Sequence, residues 1–309
     1  MNADLIGGLT SAGVAAHDAI GEGESEWLAW SLDLPVLIPG ILLGVFYARG
    51  LRRWPVRSRR HPWWMVACFY SGLLVGVLSV VSPIDSLGSH HFFMHMIQHE
   101  LIMLVAVPLI LLGAPVTPVL RGMPRWLRVD FVGSFVGEPS VRLLWRWLTQ
   151  PLVALVISQG VVVAWHLFPG WYEGAVRHEG VHYLQHFSFA FGALLFWWNV
   201  IDPAPLHSPM GYLLRMAYVL AGTTAQAAIA AMITLADEPL YEVYLTARPI
   251  FDLSPLSDQE LGGLVMWVPG QMIHLGVMGA LFAVWATKSE QQQREVEEAQ
   301  EGGSQTVAL

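Results

Sequence analysis

The sequence is short of cysteine, of lysine and of charge in general. It has one Cys, one Lys, and only 13% Asp, Glu, Lys and Arg in 309 residues. Each shortage excludes something. A lone Cys68 cannot close an intrachain disulfide, and without a C-x-x-C pair there is neither a thiolate metal cluster nor dithiol redox chemistry. Cys68 stands inside an apolar run and reads as a small core residue. So few charges cannot cover the surface of an ordinary soluble domain of this length. The basic residues fall in short loops instead of along one face, so nucleic acid is not a partner. There is no phosphate-cradling glycine loop and no nucleophile triad. The first 30 residues lack a basic n-region and do not read as a cleaved signal peptide.

What is present is apolar mass. The chain is 54% hydrophobic, with 14 Trp and a mean hydropathy of +0.49. Seven segments reach membrane length, at about 34–49, 63–82, 91–113, 151–168, 180–200, 210–235 and 259–286. The first carries Pro35 and Pro39 and is the weakest. No window shows the alternation of barrel strands, so helices do the spanning. The expected fold is all-α, a polytopic bundle of seven transmembrane helices in the lipid bilayer. A short acidic segment, 1–32, precedes the membrane domain 33–287, and a polar, mobile tail, 288–309, follows it.

The basic residues orient the bundle. With seven spans, 14 of the 16 Lys and Arg fall on one side, and only Arg177 and Arg248 on the other. The positive-inside rule then places the N-terminus outside and the C-terminus in the cytoplasm. Asp and Glu of the N-terminal region and of the sixth loop make the outer face acidic, a surface that gathers cations or is simply solvated. In the inner loop 114–150, "RWLRVDFVGSFVG" and "RLLWRW" mix Arg with aromatics and read as interfacial amphipathic pieces.

One motif is written twice. "HFFMHMIQH" (91–99) and "HEGVHYLQH" (178–186) both obey H-x-x-x-H-x-x-Q-H. Residues four apart stack on one helix face. His91, His95 and His99 thus form a stripe on the third span, and His178, His182 and His186 the same stripe on the fifth. Both spans run inward, so the ladders sit at one depth on the outer side and can face each other. Imidazole at membrane depth is costly and normally functional. Two His from each helix offer four nitrogens, enough for one tetrahedral metal or part of a two-metal site. His95, His99, His182 and His186 are the central candidates. The outermost pair, His91 and His178, are ligands, gatekeepers or plain interfacial residues.

Other residues gather at the same depth. His166 ends the fourth span on the outer side and is a further candidate ligand. Met103 continues the His95–His99 stripe by one turn, and a thioether favours Cu(I), although Met is equally a core residue. Gln98 and Gln185 each precede the deepest ladder His and can orient a ligand ring. Asp85 caps the third span or holds a ladder His. Glu100 relays protons, balances a metal charge, or meets Gln159 or Gln226. Ser257 with Glu260 fits a capping box before the seventh span. His274, too deep for the outer site, reads as a structural hydrogen bond.

Three stretches, "HMIQHELIMLVAVPLILLGAPVTPVLR", "WHLFPGWYEGAVRHEGVHYLQHFSFAFGALLFWW" and "SPLSDQELGGLVMWVPG", resemble the multispan CtaG family of cytochrome c oxidase assembly factors found with caa-type oxidases. This family is distinct from the single-span copper chaperone of the same name. The resemblance covers roughly residues 30–287 and implies a seven-span protein that helps build the haem–copper oxidase by supplying copper, Cu(I) or Cu(II), to its binuclear centre. It implies His95, His99, His182, His186 and His166 as the matching positions. Glu100 departs from the apolar residue expected there, which puts the charge of the site in question. The implied partner is the oxidase subunit carrying the binuclear centre, with a soluble copper chaperone as candidate source. The implied location is the plasma membrane of a bacterium or archaeon. Handover by ligand exchange is not enzyme catalysis. The residues leave two other readings open, a bis-His haem b cytochrome and a di-iron membrane oxygenase.

Overall fold

The computed structural model describes residues 29–54, 61–204 and 208–307, with side chains to Glu298. Most of the acidic N-terminal segment lies outside the described residues. Among those described, every regular element is helical and none is a strand. Six helices are long and apolar enough to cross a bilayer: Leu34–Arg52, Trp63–Val81, Phe92–Leu112, Glu179–Ile201, Tyr212–Thr234 and Pro255–Glu298. A seventh candidate is the bent pair Pro139–Leu148 and Pro151–Leu167, the second of 17 residues, which together count as one span across a 71° bend. Numbered along the chain, Pro151–Leu167 is the fourth span, and all seven match the predicted segments in order.

The first span starts where the sequence offers a cap. Asp33 accepts from the Val36 N–H at 3.2 Å, and Pro35 sits in the first turn, where its missing donor costs nothing. At the far end this span crosses the short helix Val116–Gly122 at Gly50 and Gly122. A Cβ on either glycine would overlap the backbone of Pro118 or Phe46. The inner loop continues into Pro139–Leu148, which buries no residue and exposes Leu143, Leu144 and Trp147. Among its predicted interfacial pieces, this helix turns sharply away from the fourth span. Residues such as Ile41, Leu74, Leu152, Leu213 and Leu275 also stand exposed, as lipid-facing side chains do in a bundle whose solvent is hydrocarbon. Cys68 is among the half-buried positions, so the expected core cysteine lies at the edge of the packing.

Three features differ from the sequence reading. The third span is not one α-helix. A short helix, Pro83–His90, comes first, and the chain kinks at His91 (φ −134°, ψ 126°) before Phe92. From Leu101 to Ala106 the span is then a π-helix. Pro108 explains this. It has no N–H and its ring opposes an α-turn behind it. The Val107 N–H bonds Ile102 O, five residues back, and Pro108 cannot donate to Met103 O. The indole of Trp197 on the fifth span donates to that carbonyl instead, at 2.9 Å. The helix of the seventh span runs on from Pro255 to Val307, 53 residues. That is about 80 Å, well beyond the ~30 Å of a bilayer core. The described helix thus takes in the polar segment from residue 288 through Val307. Its N-cap is Ser254, whose Oγ accepts from the Ser257 N–H at 3.1 Å, so the capping box at Ser257 is displaced by one turn.

Candidate metal centre

The two ladder motifs fold alike at their first residue. His91 and His178 are both N-caps in extended conformation, with φ −134° and −131°. From there each helix turns inward, and the next two histidines of each face the other helix. His95 and His99 lie with ring centroids 4.3 Å apart, and His182 and His186 with 4.1 Å. Across the helices His95 meets His182 at 5.2 Å and His99 meets His186 at 5.3 Å. One ring nitrogen from each of the four lies within 4.8 Å of all the others. An ion with bonds of about 2.0–2.1 Å spaces tetrahedral ligands by about 3.4 Å, so small side-chain rotations close the shell.

The group is largely buried. His95 and His99 are each 2% exposed and His186 is 8%; His182 is half-buried at the rim. Both ring nitrogens of His99 and the Nε2 of His186 are buried without a hydrogen-bond partner. Buried polar atoms are rarely left so, and each needs a reason. His166 lies beside the group. Its Nδ1 donates to Val162 O at 2.8 Å, which fixes the tautomer and leaves a buried, unpartnered Nε2 lone pair. Phe189 closes the floor, 4.6 Å from His99.

Three tyrosines outside the spans form the roof. Tyr244 Oη lies 3.3 Å from His95 Nδ1, donates to Gly88 O at 3.1 Å, and meets Tyr172 Oη at 3.0 Å. Tyr241 packs against Tyr172 with centroids 4.4 Å apart. Burial pushes all three phenols above their ordinary range, so they stay neutral hydroxyls. The sequence reading missed this roof. Its signal was the "YEVY" spacing in the sixth loop, which puts two aromatics one turn apart.

Over residues 45–288 the chain matches the family of cytochrome c oxidase caa3 assembly factors (Caa3_CtaG). It belongs to that family. An uncharacterized protein of Mycobacterium leprae is 25% identical over 274 residues, which is 83% of this chain and 39% of that protein. Uncharacterized proteins of Mycobacterium bovis and Mycobacterium tuberculosis are each 25% identical over 273 residues, with the same 83% and 39%. The chain thus spans about two-fifths of the length of these relatives. No solved structure matches it.

All the candidate residues of this caa3 assembly factor family member fall within the matched region, and the structure sorts them. His91 does not join the four-His group. Its Nε2 accepts from the Ile250 and Phe251 N–H groups at 2.9 and 3.1 Å, and its Nδ1 faces Asp258 at 3.5 Å. His178 is exposed at the mouth. Both are held away because a capping residue precedes the helical stripe and does not continue it. Met103 also stays outside the four-His group. It packs in the main core and takes the Trp197 bond on its carbonyl.

The polar neighbours divide as well. Gln185 reaches His95, with Oε1 3.3 Å from Nε2. Gln98 touches no histidine; its amide donates to Ser79 O at 2.8 Å and Asp85 Oδ1 at 2.6 Å. Asp85 therefore holds Gln98, and the cap of the third span is Asp258, which accepts from Phe92 and Phe93 N–H at 2.9 and 3.1 Å. Glu100 accepts from Gln226 at 2.9 Å. His274 Nδ1 bonds Gly270 O at 2.7 Å, as the sequence suggested.

Proposed function

We propose that the protein binds copper as cargo through His95, His99, His182 and His186 and passes it to the haem–copper oxidase whose assembly it serves. The observation that carries this reading is the set of four imidazoles, three of them buried, whose ligand atoms lie within 4.8 Å of one another. Several of their nitrogens lack any other partner. No thiol and no carboxylate belongs to the group, so the donors are neutral and of borderline softness, a set suited to copper. His166 Nε2 is the natural fifth donor when one of the four lets go.

The chain's own residues manage the exchange. Gln185 occupies the Nε2 side of His95 and turns aside when the ion arrives. Tyr244 holds the other side of that ring. Handover replaces one imidazole at a time by a ligand of the receiver: each Cu–N bond broken is matched by a bond to the receiver, the copper keeps its oxidation state, and no catalysis is needed. The receiver is the oxidase subunit that carries the binuclear centre, and a soluble copper chaperone is the source. The site lies at the end of the bundle where Tyr183 on the fifth span donates to Asp33 at 3.0 Å, opposite Arg49 and Arg52 of the first span. By the charge sorting of the loops, that end faces outward from the plasma membrane, with the C-terminus in the cytoplasm.

The ring packing weighs against a haem. Four imidazoles in mutual contact, at centroid distances of 4.1–6.4 Å, leave no flat slot for a porphyrin between them. A di-iron oxygenase needs ligands for two metals, and these four imidazoles, with no carboxylate beside them, fill the shell of one four-coordinate ion.

The test is metal content by mass spectrometry of detergent-purified protein, with an absorption spectrum of the same sample. Copper at one or more per chain without a Soret band supports the reading. Haem, or two irons per chain, overturns it.

A further inference from the structure

Below Phe189 lies a cavity of about 30 Å³ that the four-His site does not use. Its lining includes Met103, Ser158, Gln159, Gln226 and His274, with Phe189 itself as the shared wall. This volume holds about two water-sized guests and excludes organic molecules, whose sites run to about 300 Å³ or more.

Its polar groups are arranged as for an ion. His274 is 3% exposed. Its Nδ1 is tied to Gly270 O at 2.7 Å, which leaves Nε2 as the lone-pair nitrogen. The ring is stacked on Trp197, 5.6 Å away and tilted by 10°. Trp197 is itself anchored to Met103 O at 2.9 Å. One indole thus fixes both the His274 plane and the backbone of Met103. Gln159 Oε1 is buried there with no partner. Met103, within the π-turn ahead of Pro108, lines this cavity. A thioether, an imidazole and an amide oxygen form a set that prefers Cu(I).

We propose that this cavity is a second, deeper site that holds the Cu(I) cargo in transit, with Met103 and His274 as its ligands. The proposal rests on the cargo reading above. It adds a stepping stone between the outer four-His group and a receiver that takes copper inside the bilayer. Phe189 is the gate: its ring meets His99, with centroids 4.6 Å apart, and also lines the cavity. Met suits a transit ligand because its long, unbranched side chain adapts to the ion.

The experiment loads the detergent-purified full chain with Cu(I) under anaerobic conditions and reads copper per chain together with copper-edge X-ray absorption. Wild type is expected to take two ions, with both nitrogen and sulfur scatterers. Met103→Leu, close in volume, is expected to lose the sulfur scatterer and one ion, and His274→Gln to lose one ion. A His95→Ala/His182→Ala variant is expected to keep the sulfur-bound ion. A single ion with nitrogen ligands only, or a sulfur signal unchanged in Met103→Leu, overturns the second site and leaves the cargo reading standing. Protein that takes no copper at all overturns both.

Discussion

The two ladders share one motif and have different surroundings. In each, the first His sits at the N-cap position of a helix, and the next two enter the metal group. Beyond that they diverge. His91 is sealed under the sixth loop by two backbone N–H groups, while His178 is open to the surface. Gln185 crosses to the partner helix and touches His95, while Gln98 turns back to Asp85. The fifth span stays α-helical for 23 residues, and the third breaks into a π-turn at Leu101. The lesson is that a repeated motif fixes what two helix turns present to each other. It does not fix what packs behind them.

That comparison can be broken at several levels. The sharpest test removes one ligand from each ladder. His95→Ala with His182→Ala is expected to lose the copper held by imidazole nitrogens alone, leaving only the sulfur-bound ion, while the helical circular dichroism is unchanged; copper retained at the wild-type level would mean the facing pairs are not the site. The next tests the divergence below the ladders. Trp197→Phe leaves Met103 O without a donor in the bundle interior and removes a packed ring, at an expected cost of ~3 kcal/mol in denaturation midpoint measurements. The matching change on the lipid face, Leu213→Ala, is expected to be within ~0.5 kcal/mol.

The capping histidines should also separate. His91→Ala strips two buried N–H groups of their acceptor, an expected loss of ~2 kcal/mol and faster hydrogen exchange in residues 245–254. His178→Ala is expected to change stability by less than ~0.5 kcal/mol. Equal effects from the two variants would erase the distinction drawn here.

The smallest effect concerns Asp33, which ties the first span to Tyr183. Burial raises its carboxyl above the ordinary value of 3.8, against the bonds from Tyr183 and Val36. The folded state therefore binds this proton more tightly than the unfolded chain does. The stability it contributes is full below 3.8 and is lost as pH rises through the higher folded value. Denaturation midpoints across the mildly acidic range should show this slope in wild type, and Asp33→Asn should flatten it.

Much of this was legible in advance because it depends on local periodicity. Apolar run length marked seven helices, and i, i+4 spacing put His95 with His99 and His182 with His186. Pro108 was a readable signal for the π-turn, since a missing N–H must be accommodated within one turn of its position. Asp258 as the cap of the third span was not readable, because its partners lie 166 and 165 positions away. The same holds for Tyr244, which reaches His95 across 149 positions. Capping chemistry makes Asp85 the local choice, and the fold supplies a distant carboxylate instead.

The sequence by itself determined the membrane-length apolar segments and the two stripes of imidazole, because helix geometry needs only the neighbours along the chain and the length of an apolar run. Only the tertiary structure decided which face of each helix meets which. It gathered four rings into one pocket, roofed them with tyrosines, withdrew His91 into a latch and turned Met103 into a separate cavity. Those outcomes depend on how side chains far apart in sequence satisfy each other's hydrogen bonds in a medium that offers no water to do so.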